Sequence, residues 1–532
     1  MQQQSKNAAV NFDWAFLLFL ICVLNVKLYV KILAIVFYLC YVSYKKYKFT
    51  DLPAFSLFYF VMPVIGTVAS LLHHSFSTDY YWVGYLFGVL NWLIAGSAAY
   101  FLAVAATNVD RNKLIGTIKI FFLLNSIACI VQLGIMIVQS GQIMPYWYWE
   151  PTEYYGGSTG DHILGITGNI SVTNATFNAI GTLLFLFYRE LKWAVLTIVM
   201  LLLCTSNTTL ILEVIALVGL FIIINEKIFR KQTLVVLLVI SCIYPILSLD
   251  NIKYVDRVYE DEVEEAKKVK KKQLEGDVLK RENRDIADFN LSFQKLDNTY
   301  LSSDKYYRVP LNDTLLISYK DDLKYLGQFG KLKSVSNENL RLEPDSLKQL
   351  MERWYGMPYE RLPLSTYKGI KKFYTVKQTL HYLRQGTTNL IFGAGIGNFS
   401  SKLAIKMTGL GIQGDYPTRY IYVSRDYVPY HLFSVLYLFS MPIAEHSILN
   451  MVNSVYNQVA GEYGLLGCIA FLLIYVGYVV RNRKKLRAGG YLFLMMMGFF
   501  LFEYWFELVS LTVLIEFVVL LELNSKKEDV VE

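Results

Sequence analysis

The sequence predicts an all-α polytopic membrane protein of about twelve transmembrane helices, with one large mixed loop between the ninth and tenth. Three observations predict it. Apolar residues make up 54% of the 532 positions. The hydrophilic residues concentrate in one block, 249–445. On both sides of that block, apolar runs long enough to cross roughly 30 Å of hydrocarbon recur.

Taken in order, the spans are expected at Phe12–Leu24, Leu28–Tyr44, Leu52–Leu72, Tyr81–Ala106 and Leu114–Val138. Four more follow at Thr173–Tyr188, Trp193–Ser206, Leu210–Asn225 and Thr233–Leu247. The last three are Gly464–Val480, Tyr491–Phe506 and Leu508–Leu523. The chain thus divides into a first helical region (1–248), the loop domain (249–445), and an interfacial helix with the last three spans and a tail (446–532).

Basic residues orient the spans. Lys45, Lys46 and Lys48 follow the second, Arg111 and Lys113 the fourth, and Arg189 and Lys192 the sixth. Lys227, Arg230 and Lys231 follow the eighth, Arg481 to Arg487 the tenth, and Lys526 and Lys527 the twelfth. The alternate connections His73–Asp79, Gln139–Asn169 and Asn207–Thr209 carry no Lys or Arg. The positive-inside bias then puts both termini in the cytoplasm and the long loop outside.

Composition narrows the class further. All six cysteines fall in apolar spans, so no disulfide framework is expected in the loop. The net charge of +8 matches inside-positive connections and needs no nucleic acid to explain it. The N-terminus reads as an anchor, since no small-residue cleavage site follows its apolar stretch.

The loop has unequal parts. Residues 256–289 mix both charges at helical spacing and read as a solvated helix or helical hairpin. Tyr367–Leu383 reads as a basic amphipathic helix, with Lys377, His381 and Arg384 at i, i+4 and i+7 on one face. It points at a turn built on Gly393, Gly395 and Gly397, whose backbone amides are candidates for phosphate contacts. Asp415–Ala444 is rich in Tyr, Phe, Arg and His. Treating its apolar half as a span would break the charge pattern, so it reads as interfacial or re-entrant, bringing Arg419, Arg425 and His431 to the membrane surface. A polar segment from Glu445 then runs through His446, Asn453 and Glu462 into the tenth span.

Three segments resemble the O-antigen ligase and O-antigen polymerase family, polytopic bacterial enzymes acting on undecaprenyl-diphosphate-linked glycans. NLIFGAGIGNF looks like the family's glycine turn after a basic helix. VYNQVAGEYGLLGCIAFLL looks like its His-Asn helix running through Glu-x-Gly into the next span. HILGITGN (His162–Asn169) looks like its Arg-x-x-Gly-x-x-Gly-Asn segment. The resemblance implies a GT-C-like helical fold, a site in the bacterial cytoplasmic (inner) membrane facing outward, and a glycosyltransferase that joins lipid-linked repeat units. No cofactor is expected, and with His73 and His74 adjacent and the other histidines scattered, no metal-ligand spacing is seen. Implied partners are an undecaprenyl-diphosphate-linked oligosaccharide, membrane lipid and a chain-length regulator. The chain departs from the pattern where the family histidine falls on Asn453, with His446 seven residues earlier, and where the family arginines fall on His162 and Asn207.

A glycan on a lipid diphosphate carries its own leaving group. The enzyme needs cations to hold the diphosphate and a base for the acceptor hydroxyl. Arg suits the first task through its bidentate fork and permanent charge. Arg384, Arg419 and Arg425 are the candidates, with Lys377, Lys371 and His162 beside them. His suits the second near neutral pH, which selects His446, with Glu462, Glu445 and Asn453 alongside. Each has a plainer reading. His446 could cap an interfacial helix, the arginines could snorkel to headgroups, and the basic helix face could touch lipid. Glu213, inside the eighth span, is a functional candidate by its cost alone, or a partner of Asn174 or Asn178. A ligase acting on lipid A core is the alternative. A lipid-linked sugar flippase is the rival from another class, and it predicts charges deep within several spans where this sequence shows few.

Overall fold

A computed structural model describes residues 11–78, 80–147, 159–168, 170–247, 371–408, 416–424, 426–432, 434–435 and 451–524. Among these every regular element is helical. The first region contains α1 (Trp14–Leu24), α2 (Leu28–Tyr44), α3 (Ala54–Leu72), α4 (Tyr81–Asn108) and α5 (Arg111–Ser140). It continues with α6 (Ser171–Phe187), α7 (Leu191–Leu203), α8 (Asn207–Ile223) and α9 (Lys227–Leu247). From the loop come α10 (Lys371–Arg384), α11 (Thr387–Phe392) and α12 (Lys402–Met407). The C-terminal part holds α13 (Val455–Ala470), which runs through a π turn at Phe471–Val476 into α14 (Gly477–Asn482). Then follow α15 (Ala488–Phe499), α16 (Trp505–Leu508) and α17 (Ser510–Asn524).

Each expected span meets a helix. Five helical stretches are long and apolar enough to cross a bilayer, namely α3, α4, α5, α9 and the continuous Val455–Lys485. The other apolar helices of the bundle are shorter. This is the architecture of a multi-pass membrane protein. Boundaries shift where caps decide them. Asp110 accepts hydrogen bonds from the Asn112 and Lys113 amides, so α5 begins at Arg111, three residues before its apolar run. Its far end is closed by Gly141 at φ +67°. Asp13 caps α1 by accepting from Phe16 N at 2.9 Å, and its own N–H donates to Thr117 of α5 at 2.9 Å.

The core is aromatic. Phe58, Trp92, Tyr475 and Phe506 pack edge-on or tilted with centroids 5.0–6.0 Å apart where α3, α4, α16 and the π turn meet. Trp92 Nε1 donates to Tyr463 OH at 2.6 Å and locks α4 to α13.

Besides Glu462 of α13, three charged residues lie buried inside helices among the described residues. Lys31 of α2 donates to the Leu508 carbonyl at 2.7 Å. Glu516 of α17 accepts from the Tyr59 and Tyr475 hydroxyls, both at 2.6 Å. Glu213 of α8 is buried, with neither oxygen hydrogen-bonded among the described residues. Asn174 and Asn178, its candidate partners, bond Asn125 instead.

Candidate functional site

The site begins with two glycines. Glu462-Tyr463-Gly464 interrupts α13, because Gly464 adopts φ +60°, ψ −156°, a conformation open essentially to glycine alone. There the chain meets the turn after α11. A Cβ on Gly464 would stand 2.5 Å from Gly393 N, and one on Gly393 would stand 2.6 Å from Gly464 N. The two segments cross backbone to backbone. Ala394 N donates to Gly461 O and Gly395 N to Glu462 O, each at 2.9 Å. Gly395 also presses on Ser70 of α3, and Gly397 on Met407 of α12.

The amides of Gly393, Ala394, Gly395, Asn398 and Phe399 are therefore already spent. Gly393 N donates to Asn389 O, Asn398 N to Gly395 O, and Phe399 N to Glu462 Oε1 at 3.4 Å. Positive φ at Gly393, Gly395 and Gly397 serves this crossing. Those five amides serve the protein's own acceptors.

Around the crossing lies a buried polar cluster. From α10, Thr375, Gln378, Thr379 and Tyr382 face inward. His431 sits fully buried between α10 and the residue after the glycine turn. Its Nε2 lies 3.1 Å from Thr375 O, and its Nδ1 lies 2.9 Å from Ser400 Oγ. A carbonyl only accepts, so Nε2 carries the hydrogen and Nδ1 accepts from Ser400. Burial pushes the imidazole down to about 4, which keeps it neutral. Ser400 also meets Tyr504 OH at 3.2 Å.

The charged part of the cluster is assembled from α10, α12, α13 with the segment before it, α16 and the connection from α15 to α16. Asn453 Nδ2 donates to Glu503 Oε1 and Oε2 at 3.0 and 3.1 Å, and Tyr504 N donates to Glu503 Oε1 at 2.9 Å. Lys372 Nζ donates to the Asn453 carbonyl. Gln458 Nε2 donates to Glu507 Oε1 at 2.5 Å, and Leu403 N to Glu507 Oε2 at 2.8 Å. Lys372 and Lys402 both lie within electrostatic reach of Glu503. Burial pulls Lys372 down to about 7 and Lys402 to about 8, and pushes Glu507 up to about 7. Lys372, Lys402 and Glu507 are only half-buried, so the cluster has an edge open to solvent.

The candidates chosen from sequence scatter relative to this cluster. Glu462 and Asn453 are inside it. Asn453 falls in the expected interfacial helix, but 452–454 is not helical and α13 starts at Val455. Its side chain holds Glu503 rather than lining a helix. Lys377, His381 and Arg384 share one face of α10 as expected, and that face is exposed, opposite Thr375 and Thr379. Arg419 is exposed with its guanidinium 5.7 Å from the Tyr420 ring. His162 lies in a short 3₁₀ turn, Thr159–His162, that leads into the segment held by the α5–α6 asparagines. Arg425 and His446 lie outside the described residues.

Sequence reading missed Lys372, Lys402, His431 as a buried group, Glu503 and Glu507. Small polar residues at Thr375 and Thr379, one turn apart, mark the inner face of α10, while its charges lie on the other face. Glu503 and Glu507 were hidden in an apolar run read as two spans. Comparison of the chain with protein-family models, with curated proteins and with solved structures finds no match.

Proposed function

We propose that this chain is a glycosyltransferase using a polyprenyl-diphosphate-linked donor, and within that class a surface-polysaccharide (O-antigen) polymerase. One observation carries the reading. The glycine turn and the Glu-x-Gly segment, read separately from sequence, cross at Gly393 and Gly464 and frame a cluster of lysines and glutamates. On this reading the membrane is the bacterial cytoplasmic membrane, both termini are cytoplasmic, and the cluster faces outward.

The chemistry asks for opposite charges side by side. The acceptor hydroxyl oxygen forms a bond to the donor's anomeric carbon, the bond from that carbon to the phosphate oxygen breaks, and the diphosphate leaves with the electron pair. Lysines face the growing negative charge, and a carboxylate takes the hydroxyl proton. Glu503, held by Asn453 and a backbone amide, is oriented to do so. No nucleotide is consumed.

The test is glycan laddering in a deletion strain complemented with wild type or Glu503→Gln. Wild type should restore a ladder from single repeat units, and the variant should lower the rate by about 10²–10³-fold while reaching the membrane in normal amount. Full-length chains left on undecaprenyl diphosphate would make the enzyme the ligase instead. Lys31, Glu213 and Glu516 are buried within helices, which favours the flippase as a second reading. Lipid-linked single units trapped on the cytoplasmic face of the deletion strain would select it.

A further inference from the structure

Lys402 stands apart from every other group in the cluster. Its Nζ makes no hydrogen bond and no ion pair among the described residues, although it faces Glu503 and Glu507. Both carboxylates are already satisfied by neutral donors, namely Asn453 Nδ2 and Tyr504 N for Glu503, and Gln458 Nε2 and Leu403 N for Glu507. Two buried acceptors beside them, Asn453 Oδ1 and Gln458 Oε1, are also without a partner among the described residues. Their amide nitrogens are committed to Glu503 and Glu507, so these oxygens are left over only as acceptors.

The surrounding charge is adjustable. Lys31 of α2 faces Lys402, and Lys406 of α12 lies on its own helix. Lys372 of α10 also lies within electrostatic reach of Glu503, and Glu462 of α13 of Glu507. The ammonium groups thus repel one another in partial burial while the carboxylates are solvated by amides. Lys402 stands at the open edge of the cluster with its ammonium committed to no protein acceptor among the described residues, so it is free to meet an entering anion.

We propose that Lys402, with Lys372, forms a binding site for a diphosphate group, and that the site takes up protons as the group enters. The entering anion adds negative charge beside these groups, so it favours the ammonium form of both lysines and the acid form of Glu507. Lys372, Lys402 and Glu507 all titrate at about 7 to 8, so near pH 8 a fraction of each is unprotonated and available to take up a proton. Affinity should therefore rise as pH falls from 9 toward 7. The inference deepens the proposed function by naming which residues hold the leaving group, but its test needs no glycan.

The experiment is calorimetric titration of inorganic diphosphate into the full chain in phosphatidylcholine nanodiscs at pH 8, in two buffers of different ionisation enthalpy. Wild type should bind with net proton uptake. Lys402→Gln should weaken binding by roughly tenfold or more, and Lys402→Arg, whose charge is permanent, should keep affinity while losing part of the uptake. Lys377→Gln, on the exposed face of α10, is the control and should bind as wild type. Equal binding by wild type and Lys402→Gln, no binding by wild type, or uptake unchanged in Lys402→Arg would each overturn the assignment. Undecaprenyl diphosphate should compete with the probe. Equal competition by phosphatidylglycerol would reduce the site to one for any anionic headgroup and overturn its diphosphate character. Intact binding with no glycan transfer would sink the proposed function alone, and transfer without binding here would sink this site alone.

Discussion

Two buried polar regions of this molecule are built in opposite ways. Between α5 and α6, Asn125, Asn174 and Asn178 form a neutral knot. Asn125 Nδ2 donates to Asn174 Oδ1 at 2.9 Å, Asn178 Nδ2 to Asn174 O at 2.9 Å, and Asn174 Nδ2 to Ile163 O at 3.0 Å. Ile166 N donates to Asn125 Oδ1 at 3.0 Å, and Gln132 exchanges two bonds with Gly165. Gly165 fits only because it lacks a Cβ, which would stand 2.3 Å from Asn125 Oδ1. Every amide of the knot is used. The cluster at Lys402 holds charges, an open edge and polar atoms left over. A satisfied network fastens helices, whereas an incomplete one costs stability and is kept where something binds.

The crossing that frames the second region is the most sensitive point. Gly464→Ala places a methyl against Gly393 N in a backbone conformation that alanine avoids. Strain and clash together should cost about 3 kcal/mol or more, seen as loss of the monodisperse peak in size-exclusion chromatography in detergent. A normal peak with unchanged melting would mean the two segments separate freely. The comparison would then lose its frame.

Next in size is a pair of substitutions that should act in opposite directions. Asn174→Leu strands Asn125, Asn178 and the Ile163 carbonyl, and should cost about 2–4 kcal/mol. Lys402→Met removes a half-buried charge that bonds nothing, and should leave melting unchanged or raise stability by about 1 kcal/mol. Thermal melts of both variants in one detergent decide the matter. A large loss for Lys402→Met would show that the second region is as structural as the first.

How much of this was legible follows from what each level depends on. The helices were, because apolar runs and charged ends are local signals; α2 runs Leu28–Tyr44 in both readings. The Glu-x-Gly and glycine-turn segments were singled out, but their meeting was not, since residues 393 and 464 are joined only by tertiary packing. Asn453 falls on a helix by the family resemblance; its bonds to Glu503 hold it in the irregular segment before α13. The cluster itself needed distances. Nothing local in KLAIKM says that its first lysine faces Glu503 and Glu507 a hundred residues on.

His431 gives the comparison a pH axis, because it is a neutral titratable group held by the polar interior. Its folded value of about 4 lies below the ordinary imidazole value of about 6.5. Between those values the unfolded chain binds the extra proton, so stability rises with pH across the window. The contribution is fully present above about 6.5 and is lost as pH falls toward 4, to a total of about 3 kcal/mol. Melting temperature against pH should show that slope, and His431→Gln should flatten it. The asparagine knot has no such group and predicts no slope of its own. An unchanged slope in the variant would assign the acid sensitivity elsewhere.

The smallest effect is expected on the face that looked most functional in sequence. Arg384 shares its exposed side of α10 with Lys377 and His381, while the residues that reach His431 and Asn457 project from the opposite side. A guanidinium there is hydrated, and its loss exposes no buried partner. Arg384→Ala should move the melting temperature by less than about 2 °C and diphosphate affinity by less than about twofold. Calorimetry beside Lys402→Gln makes the contrast direct. If Arg384→Ala weakens binding tenfold and Lys402→Gln does not, the anion is held on the outer face of α10, and the buried lysine is the bystander.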